Sequence, residues 1–159
     1  MGIIGTGVIS NQHMQRYQSI PNVKIVAACD INKPRLEAWG AKYNVTDLYT
    51  DFREMLKRDD IDSVDVCLHN NLHLPMAYEV MKSGKNCYSE KPMAGSYADA
   101  KRLYDASKTF GKELSIHLDF MFFRQSRMAK KMIEDGELGN IYHARSVGLR
   151  RRGRQDRLL

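Results

Sequence analysis

The sequence predicts an α/β protein with a doubly wound parallel sheet, and two observations carry this prediction. Short apolar segments alternate six times with segments of helical character over the first 117 residues. This alternation is typical of parallel strands joined by right-handed helical crossovers. In addition, a turn containing Gly5 and Gly7 lies between the first strand and the first helix. A chain of 159 residues is long enough for one well-packed core and a short additional segment.

The first half of the alternating region holds three strands and three helices. The strands are expected at 2–4, 23–29 and 48–49, and the helices at 8–19, 32–43 and 52–58. The pair Pro21 and Asn22 separates the first helix from the second strand. Asn32 is suited to cap the second helix, which has Pro34 in its first turn, and Asp51 is suited to cap the third.

The second half holds three more strands and two helices. The strands are expected at 63–68, 86–89 and 113–117, and the helices from near 75 to 84 and at 97–109. The segment 63–68 is rich in β-branched residues, which is typical of a strand buried on both faces. Gly84 is placed to end the fourth helix, Ser96 is suited to cap the fifth, and Gly111 to end it.

A second domain is predicted to begin after the sixth strand. An amphipathic helix is expected at 125–135, a turn at 136–139 and a strand at 141–149. We therefore assign 1–120 to a dinucleotide-binding domain. Residues 121–159 are assigned to the helix and first strand of a truncated C-terminal α/β domain, of which the chain carries only the beginning.

Composition and charge exclude several classes of function. Of the formal net charge of +6, five charges fall in the segment 140–159, so the body of the chain is nearly neutral. A nucleic-acid-binding face needs cations spread along one surface, so no nucleic-acid partner is expected. No run approaches the roughly 18 apolar residues of a membrane span. Cys29, Cys67 and Cys87 lie in or at the end of apolar runs without a CxxC pair, so we expect buried, reduced thiols and a cytoplasmic location.

The glycine turn and the acid after the second strand predict a dinucleotide site, the alternative being an unrelated glycine turn. Gly5 permits a tight turn, and Gly7 leaves the N–H groups and the positive end of the helix dipole open to a pyrophosphate. Asp30 follows Gly7 by 23 residues, close to the roughly 20 expected for an acid that accepts the ribose hydroxyls. A carboxylate there favours NAD over NADP, although Lys33 and Arg35 nearby would favour NADP. The residues predicted to contact the pyrophosphate and the ribose of the cofactor are Gly5, Thr6, Gly7, Val8, Ile9, Ser10 and Asp30.

Polar residues also follow the fourth, fifth and sixth strands, where a parallel sheet of this kind binds its ligands. Lys91, between Glu90 and Pro92, is placed to donate a hydrogen bond to a substrate oxygen and to stabilise charge there. The alternative for Lys91 is a solvated loop residue. Pro92 restricts the backbone of Lys91 and permits a cis bond. His117 ends the sixth strand and is a candidate substrate contact.

The other histidines do not predict a metal site. His69 and His73 have the i,i+4 spacing of two ligands on a helix, but no third ligand is evident. His13 and His143 are interpreted as ordinary surface or interface residues.

Five ordered motifs resemble the glucose-fructose oxidoreductase, inositol dehydrogenase and rhizopine-catabolism (Gfo/Idh/MocA) family. They are Gly2-Ile3-Ile4-Gly5-Thr6-Gly7, Cys29-Asp30-Ile31, the pair Asn70 and His73, Glu90-Lys91-Pro92, and Gly136-Glu137-Leu138-Gly139-Asn140-Ile141-Tyr142. The resemblance implies an N-terminal Rossmann domain and an NAD(P)-dependent oxidoreductase of sugars, polyols or related compounds. It implies that Lys91 positions or polarises the substrate hydroxyl and that Asn70 and His73 lie beside the nicotinamide. The remaining expected cofactor contacts are Ile31, Leu68, His69 and Glu90.

Several features depart from the family pattern. Ser10 replaces a common Gly or Ala, and Leu68-His69 stands where Thr-Pro is frequent. The segment 117–124 lacks a frequent Arg-Phe-x-Pro sequence, and an Asp and a His of the family's C-terminal domain have no counterpart. Three hypotheses follow: a portion of an NAD(P)-dependent oxidoreductase of sugars or polyols, a non-catalytic NAD-binding module, and a fragment that forms a homo-oligomer through its exposed final strand.

Overall fold

The computed structural model of the chain describes residues 1–149. Met1–His117 form one compact unit, and a second unit begins at Leu118. This division lies close to the domain boundary expected at residue 120. No helix in the described part of the chain has the length and apolar character needed to cross a membrane.

The first unit is built on one six-stranded parallel sheet, which confirms the predicted fold class. The strands are β1 (Gly2–Ile4), β2 (Ala27–Cys29), β3 (Leu48–Tyr49), β4 (Ser63–Val66), β5 (Asn86–Ser89) and β6 (Leu114–Ile116). Their spatial order is β3-β2-β1-β4-β5-β6, with every neighbouring pair parallel. In this order the chain first winds outwards from β1 to β3 and then returns to place β4 on the other side of β1. The point between β1 and β4 is the switch point of the sheet.

Helices connect the strands in the predicted alternation. They are α1 (Val8–Tyr17), α2 (Lys33–Tyr43), α3 (Phe52–Leu56), α4 (His73–Lys82) and α5 (Tyr97–Phe110). The three predicted capping side chains each accept a hydrogen bond from a backbone N–H in their own first turn, and they are Asn32, Asp51 and Ser96. These bonds satisfy donors that the helices leave unpaired at their N-termini, so the helix starts are set locally by the sequence.

The second strand is shorter than the sequence predicts. The apolar run indicated a strand over 23–29, whereas β2 spans only Ala27–Cys29. β1 offers just three residues for pairing, with Gly2 opposite Ala27 and Ile4 opposite Cys29. A strand persists only where a neighbouring strand completes its hydrogen bonds. Met1 exchanges two bonds with the residues before β2, from Val26 N–H to its carbonyl and from its amino group to the Lys24 carbonyl, but β1 begins only at Gly2 and extends the pairing no further.

Two apolar clusters cover the two faces of the sheet. One lies under α3, α4 and α5 and includes Leu103, and the other lies under α1 and α2 and includes Trp39. β1 contributes to both, with Ile4 in the first cluster and Ile3 in the second. Successive side chains of a strand point to opposite faces, so β1 is buried on both sides and anchors the edge from which the glycine turn leaves.

The described part of the second unit contains a 3-10 turn (Asp119–Phe122) and α6 (Arg124–Glu134). The helix predicted at 125–135 is therefore present. The strand predicted at 141–149 is not formed, and these residues have no regular secondary structure. The described part of this unit offers no other strand to pair with such a segment, and an isolated strand leaves its backbone groups without partners. The arginine-rich residues 150–159 lie outside the described residues.

Candidate cofactor site at the carboxyl edge of the sheet

The predicted site residues of the first unit lie beyond the carboxyl ends of four adjacent strands. The backbone ties these strand ends together: Gly5 N–H donates to the Cys29 carbonyl at 2.8 Å, and Cys67 N–H donates to the Ile4 carbonyl at 2.8 Å. Glu90 N–H donates to the Val66 carbonyl at 3.1 Å. The segments that follow β1, β2, β4 and β5 therefore emerge side by side around the switch point.

The glycine turn has the two properties expected of a pyrophosphate cradle. Gly5 has φ +93°, and a Cβ atom there would lie 2.4 Å from the Cys67 carbonyl oxygen. Only glycine fits this position. Gly7 is the N-cap of α1, and a Cβ atom there would meet no atom within 4 Å. The space over the helix N-terminus is open, so the exposed N–H groups of the first turn can be reached by an anion.

Asp30 is buried beside the turn and is already engaged by protein donors. Its Oδ2 accepts hydrogen bonds from Thr6 N–H at 2.8 Å and Thr6 Oγ1 at 2.9 Å, and its Oδ1 accepts one from Asn32 N–H at 2.8 Å. Burial alone would raise the pKa of Asp30, but the hydrogen bonds from Arg35, Asn32 and Thr6 outweigh it and hold the pKa below its usual value. The carboxylate is therefore ionised and ties the turn to the end of β2. Thr6, predicted as a cofactor contact, directs both of its donors to Asp30.

Arg35 covers the same carboxylate from the solvent side. Its Nη2 lies 2.7 Å from Asp30 Oδ1 and 3.0 Å from Oδ2, and its Nε lies 3.2 Å from Oδ2. The Arg35 side chain is about half exposed, whereas that of Asp30 is buried. A ribose that bonds to Asp30 must share it with this guanidinium or displace it.

The other predicted contacts of the turn divide into exposed and buried side chains. Val8 and Ile31 are 83% and 91% exposed, and Ile9 is half-buried. Ser10 is fully buried, and its Oγ donates to the Gly7 carbonyl at 2.7 Å. The departure from the common Gly or Ala at this position is thus accommodated by a bond inside the first turn of α1.

After β4 the chain forms an exposed 3-10 turn (Asn70–Leu72) and enters α4 at His73. His69 and Asn70 are exposed, and Leu68 is half-buried. His73 is 1% exposed, with Nδ1 2.7 Å from the Pro92 carbonyl oxygen and Nε2 3.0 Å from that of Leu68. Its ring therefore connects the loop after β4 with the loop after β5. His69 and His73 do not share a helix, since His69 precedes the 3-10 turn.

Glu90, Lys91 and Pro92 leave the end of β5 together. Glu90 is buried, and its Oε2 accepts a hydrogen bond from Lys91 N–H at 3.1 Å. The Lys91–Pro92 bond is cis, the isomer that the sequence allowed. Lys91 is exposed.

Sequence reasoning misjudged His13. The sequence predicts a surface or interface residue, but His13 is 4% exposed and lies on α1. Its Nδ1 lies 2.7 Å from Asp65 Oδ2, and its Nε2 lies 3.0 Å from Glu90 Oε1. A usable signal was present in the sequence, because an aspartate inside the buried strand 63–68 needs a polar partner. His143, in the second unit, is exposed as expected.

Other side chains surround the His13 ring, and Cys67 Sγ lies 3.5 Å from its Nδ1. His117 stacks on it with ring centroids 4.6 Å apart, Tyr17 OH donates to Asp65 Oδ2 at 2.8 Å, and the Tyr88 hydroxyl lies 2.8 Å from His117 Nδ1. Burial would lower the pKa of His13, but the bonds and charges of Asp65 and Glu90 raise it to about 9. Burial would raise the pKa of Glu90, but His13 and His117 hold it below its usual value. The centre of this group is therefore an imidazolium between two carboxylates.

The described residues contain two sets of side chains that could together hold a metal ion, and both include His13. One set adds Asp65 and Cys67, and the other adds Glu90 and His117. Each ring nitrogen of His13 already faces one carboxylate oxygen. The His117 ring stacks face to face on the His13 ring, whereas two imidazoles that bind one metal ion each point a nitrogen at it within the plane of the ring. The geometry fits a bound proton better than a metal ion.

Comparison with known proteins agrees with a dinucleotide-binding fold. The sequence model of Gfo/Idh/MocA, described as an oxidoreductase family with an NAD-binding Rossmann fold, matches residues 1–118. The chain belongs to this family. The resemblance drawn from the five motifs is confirmed, and NAD, the cofactor predicted from Asp30, is the cofactor in the description of the Gfo/Idh/MocA family.

Curated relatives that match this chain are longer than it is. The chain is 30% identical over 138 residues to the uncharacterized oxidoreductase YrbE of Bacillus subtilis, covering 87% of this chain and 40% of the relative. It is 30% identical over 142 residues to inositol 2-dehydrogenase of Salmonella paratyphi B, covering 87% of this chain and 42% of the relative. The chain thus spans about two fifths of the length of the curated relatives it matches.

Solved structures of the family superimpose over the same part of the chain. The WlbA dehydrogenase from Bordetella pertussis, crystallised with NADH and UDP-GlcNAcA, gives a TM-score of 0.84 at 30% identity, over 89% of this chain and 43% of that one. A probable dehydrogenase from Thermotoga maritima gives a TM-score of 0.81 at 28% identity, over 87% of this chain and 41% of that one. The described fold is therefore that of dehydrogenases of this family.

Proposed function

We propose that this chain binds NAD across the carboxyl edge of its sheet and forms the cofactor-binding part of an oxidoreductase that acts on a hydroxyl group of a sugar or polyol. The observation that carries the proposal is the open space over Gly7 at the N-terminus of α1. A pyrophosphate placed there meets unpaired N–H groups and the positive end of the helix dipole. The relatives named inositol 2-dehydrogenase and WlbA dehydrogenase support the reaction and substrate class.

The strand order supports one orientation of the cofactor. β2 and β3 lie on one side of the switch point, and β4, β5 and β6 lie on the other. Asp30 follows β2, so the adenosine ribose belongs on that side. Asn70 follows β4 and Lys91 follows β5, so the nicotinamide belongs over these strand ends. His73 contributes by joining the two loops that carry these residues, since both of its ring nitrogens face backbone carbonyls.

Lys91 is the residue proposed to act on the substrate, with His117 as a further contact at the end of β6. NAD, when bound, supplies the hydride acceptor. The Lys91 ammonium would donate a hydrogen bond to the substrate hydroxyl oxygen, which orients this group and stabilises the negative charge that develops on the oxygen as its proton passes to solvent water and the hydride on the adjacent carbon passes to NAD. Glu90 holds the Lys91 backbone through the bond from Lys91 N–H.

A fluorescence titration with NADH tests the proposal. Gly7→Val places a side chain in the open space without a steric clash, so the protein should fold while losing at least about tenfold in NADH affinity. Gly148→Val is the matched control, because a Cβ at Gly148 also meets no atom within 4 Å but lies in the second unit. Equal NADH affinity of Gly7→Val and the control, or no binding by the wild type at millimolar cofactor, would refute the proposal.

A non-catalytic NAD-binding module is the second candidate function. NADH formation from NAD with a panel of polyols and sugars would establish the oxidoreductase. Binding of NADH without turnover of any member of the panel would establish the module instead.

We further propose a homo-oligomer and a cytoplasmic location. Support for self-association comes from the exposed run Phe120, Met121 and Phe122, because contiguous exposed apolar surface is usually covered by a partner. Light scattering tests this, and Phe122→Ser should shift the chain towards monomer. Support for the location comes from Cys29, Cys67 and Cys87, which are buried free thiols suited to a reducing compartment.

A further inference from the structure

The buried His13 ring joins three segments that are far apart in the sequence. It lies on α1, while its two carboxylate partners come from β4 and from the end of β5, 52 and 77 positions away. The side chains are 3%, 0% and 8% exposed for His13, Asp65 and Glu90. The three segments meet at the switch point, directly beneath the crevice in which the cofactor is proposed to lie.

The arrangement requires His13 to carry a proton on each ring nitrogen. Nδ1 faces Asp65 and Nε2 faces Glu90, and ionised carboxylates only accept hydrogen bonds. A neutral imidazole would place an unprotonated ring nitrogen against one of these carboxylate oxygens, two acceptors facing each other in a buried site, which is costly. The other groups that face the ring are Cys67 after β4, Tyr17 on α1, Tyr88 on β5 and His117 after β6.

Glu90 links the ring to the proposed catalytic segment. One carboxylate oxygen, Oε1, accepts from His13 Nε2 at 3.0 Å, while the other, Oε2, accepts from Lys91 N–H at 3.1 Å. The orientation of the carboxylate that holds the Lys91 backbone is therefore set by the imidazolium behind it. Without His13, the Glu90 side chain would lack its buried donor and would turn towards solvent or towards His117, whose Nδ1 lies 3.8 Å from Oε1.

We propose that His13 is a positioning residue: its imidazolium orients Glu90, which fixes Lys91 and the nicotinamide side of the crevice, while the adenosine side is set independently by Asp30. This inference rests on the proposed function, since it needs NAD to lie across the edge with its nicotinamide over β4 and β5. It predicts that disturbing the His13–Glu90 bond changes the binding of the nicotinamide half alone.

The test compares two ligands, ADP-ribose and NADH, that share the adenosine, pyrophosphate and second ribose but differ in the nicotinamide. His13→Gln should weaken NADH binding roughly tenfold and change ADP-ribose binding by less than about twofold. Hydrogen exchange at the Lys91 amide should become faster in the same variant. Tyr17→Phe is the matched control, because it removes a bond to Asp65 and leaves both His13 bonds in place, so it should change neither affinity.

Glu90→Gln provides a second variant should His13→Gln fail to fold. An amide cannot accept from both His13 and Lys91 with its two ends, so one of the two bonds is lost and NADH affinity should fall as in His13→Gln. In the wild type, NADH affinity should also fall as the pH rises through about 9, while ADP-ribose affinity does not. A purely structural role would move both ligands together.

The outcomes separate the inference from the function on which it rests. If the wild type binds neither ligand, the proposed function fails. If the wild type binds both and the two variants weaken both equally or neither, the positioning role of His13 is wrong. Stoichiometric binding of Zn²⁺ that is lost in His13→Gln would also overturn it, because the ring would then hold a metal ion in place of a proton.

Discussion

Arg35 lies on Asp30, with its Nη2 2.7 Å from one carboxylate oxygen and 3.0 Å from the other. The acid predicted to bind the adenosine ribose is thus shared with a cation five residues further along the chain. This pairing bears on cofactor choice, because the same guanidinium that competes with ribose hydroxyls would attract a 2′-phosphate.

Replacing Arg35 should sharpen the preference for NAD. Arg35→Ala removes the competitor for Asp30 and the cation nearest to a 2′-phosphate, so the ratio of NAD to NADP affinity should rise by about tenfold. Lys42→Ala is the control, since Lys42 is an exposed cation in the last turn of the same helix, at the end away from Asp30. Calorimetric titration of both cofactors measures the ratio. An unchanged ratio in Arg35→Ala would show that the guanidinium takes no part in cofactor choice.

Replacing Asp30 should have the opposite effect. Asp30→Ala removes the acceptor for the ribose hydroxyls and releases Arg35 to pair with phosphate, so NAD affinity should fall by at least about tenfold and NADP affinity by much less. The same titrations report both values. Equal losses for the two cofactors would remove Asp30 from the ribose site.

The two glycines of the turn should respond differently to substitution by alanine. Gly5→Ala forces a side chain into φ +93° and against the Cys67 carbonyl, so the free energy of unfolding should drop by roughly 3 kcal/mol or more. Gly7→Ala meets no neighbouring atom and should change it by less than about 1 kcal/mol. Urea unfolding measures both. Similar losses in the two variants would contradict the described geometry of the turn.

The buried imidazolium should make stability depend on alkaline pH. The folded pKa of His13, about 9, lies above its ordinary value of 6.5, so its contribution is fully present below about pH 6.5 and is lost as the pH rises through about 9. The stability difference between the wild type and His13→Gln should therefore shrink by roughly 3 kcal/mol between about pH 6 and pH 9.5. Urea unfolding at several pH values tests this. A constant difference across the range would mean that His13 is not held protonated.

Much of the fold could be predicted because its signals are local. The capping side chains Asn32, Asp51 and Ser96 bond within their own helices, and Gly5 is required by the turn in which it lies. Strand bounds were less predictable, because they depend on a neighbour: β2 begins only at Ala27, opposite the first residue of β1. The strand expected at 141–149 failed for the same reason, since the described residues of its unit supply no partner strand.

The candidate site shows the same division. Gly7, Asp30 and Lys91 could be placed from motifs and spacing, because the order of strands and helices determines which loops meet at one edge. The hydrogen bonds that Asp30 accepts from Thr6 and Arg35 could not be predicted from the sequence, since they depend on side-chain orientation. His13 was misjudged because its partners are distant in sequence and only the sheet brings them together.

The central claim is that NAD lies across the carboxyl edge, with its pyrophosphate at Gly7 and its two halves on opposite sides of the switch point. Hydrogen exchange of the wild-type chain with and without saturating NADH tests this most directly. We expect slower exchange in three segments, 5–10, 30–35 and 68–73, and unchanged exchange in α5. Protection confined to other parts of the chain, or none in 5–10, would contradict the claim.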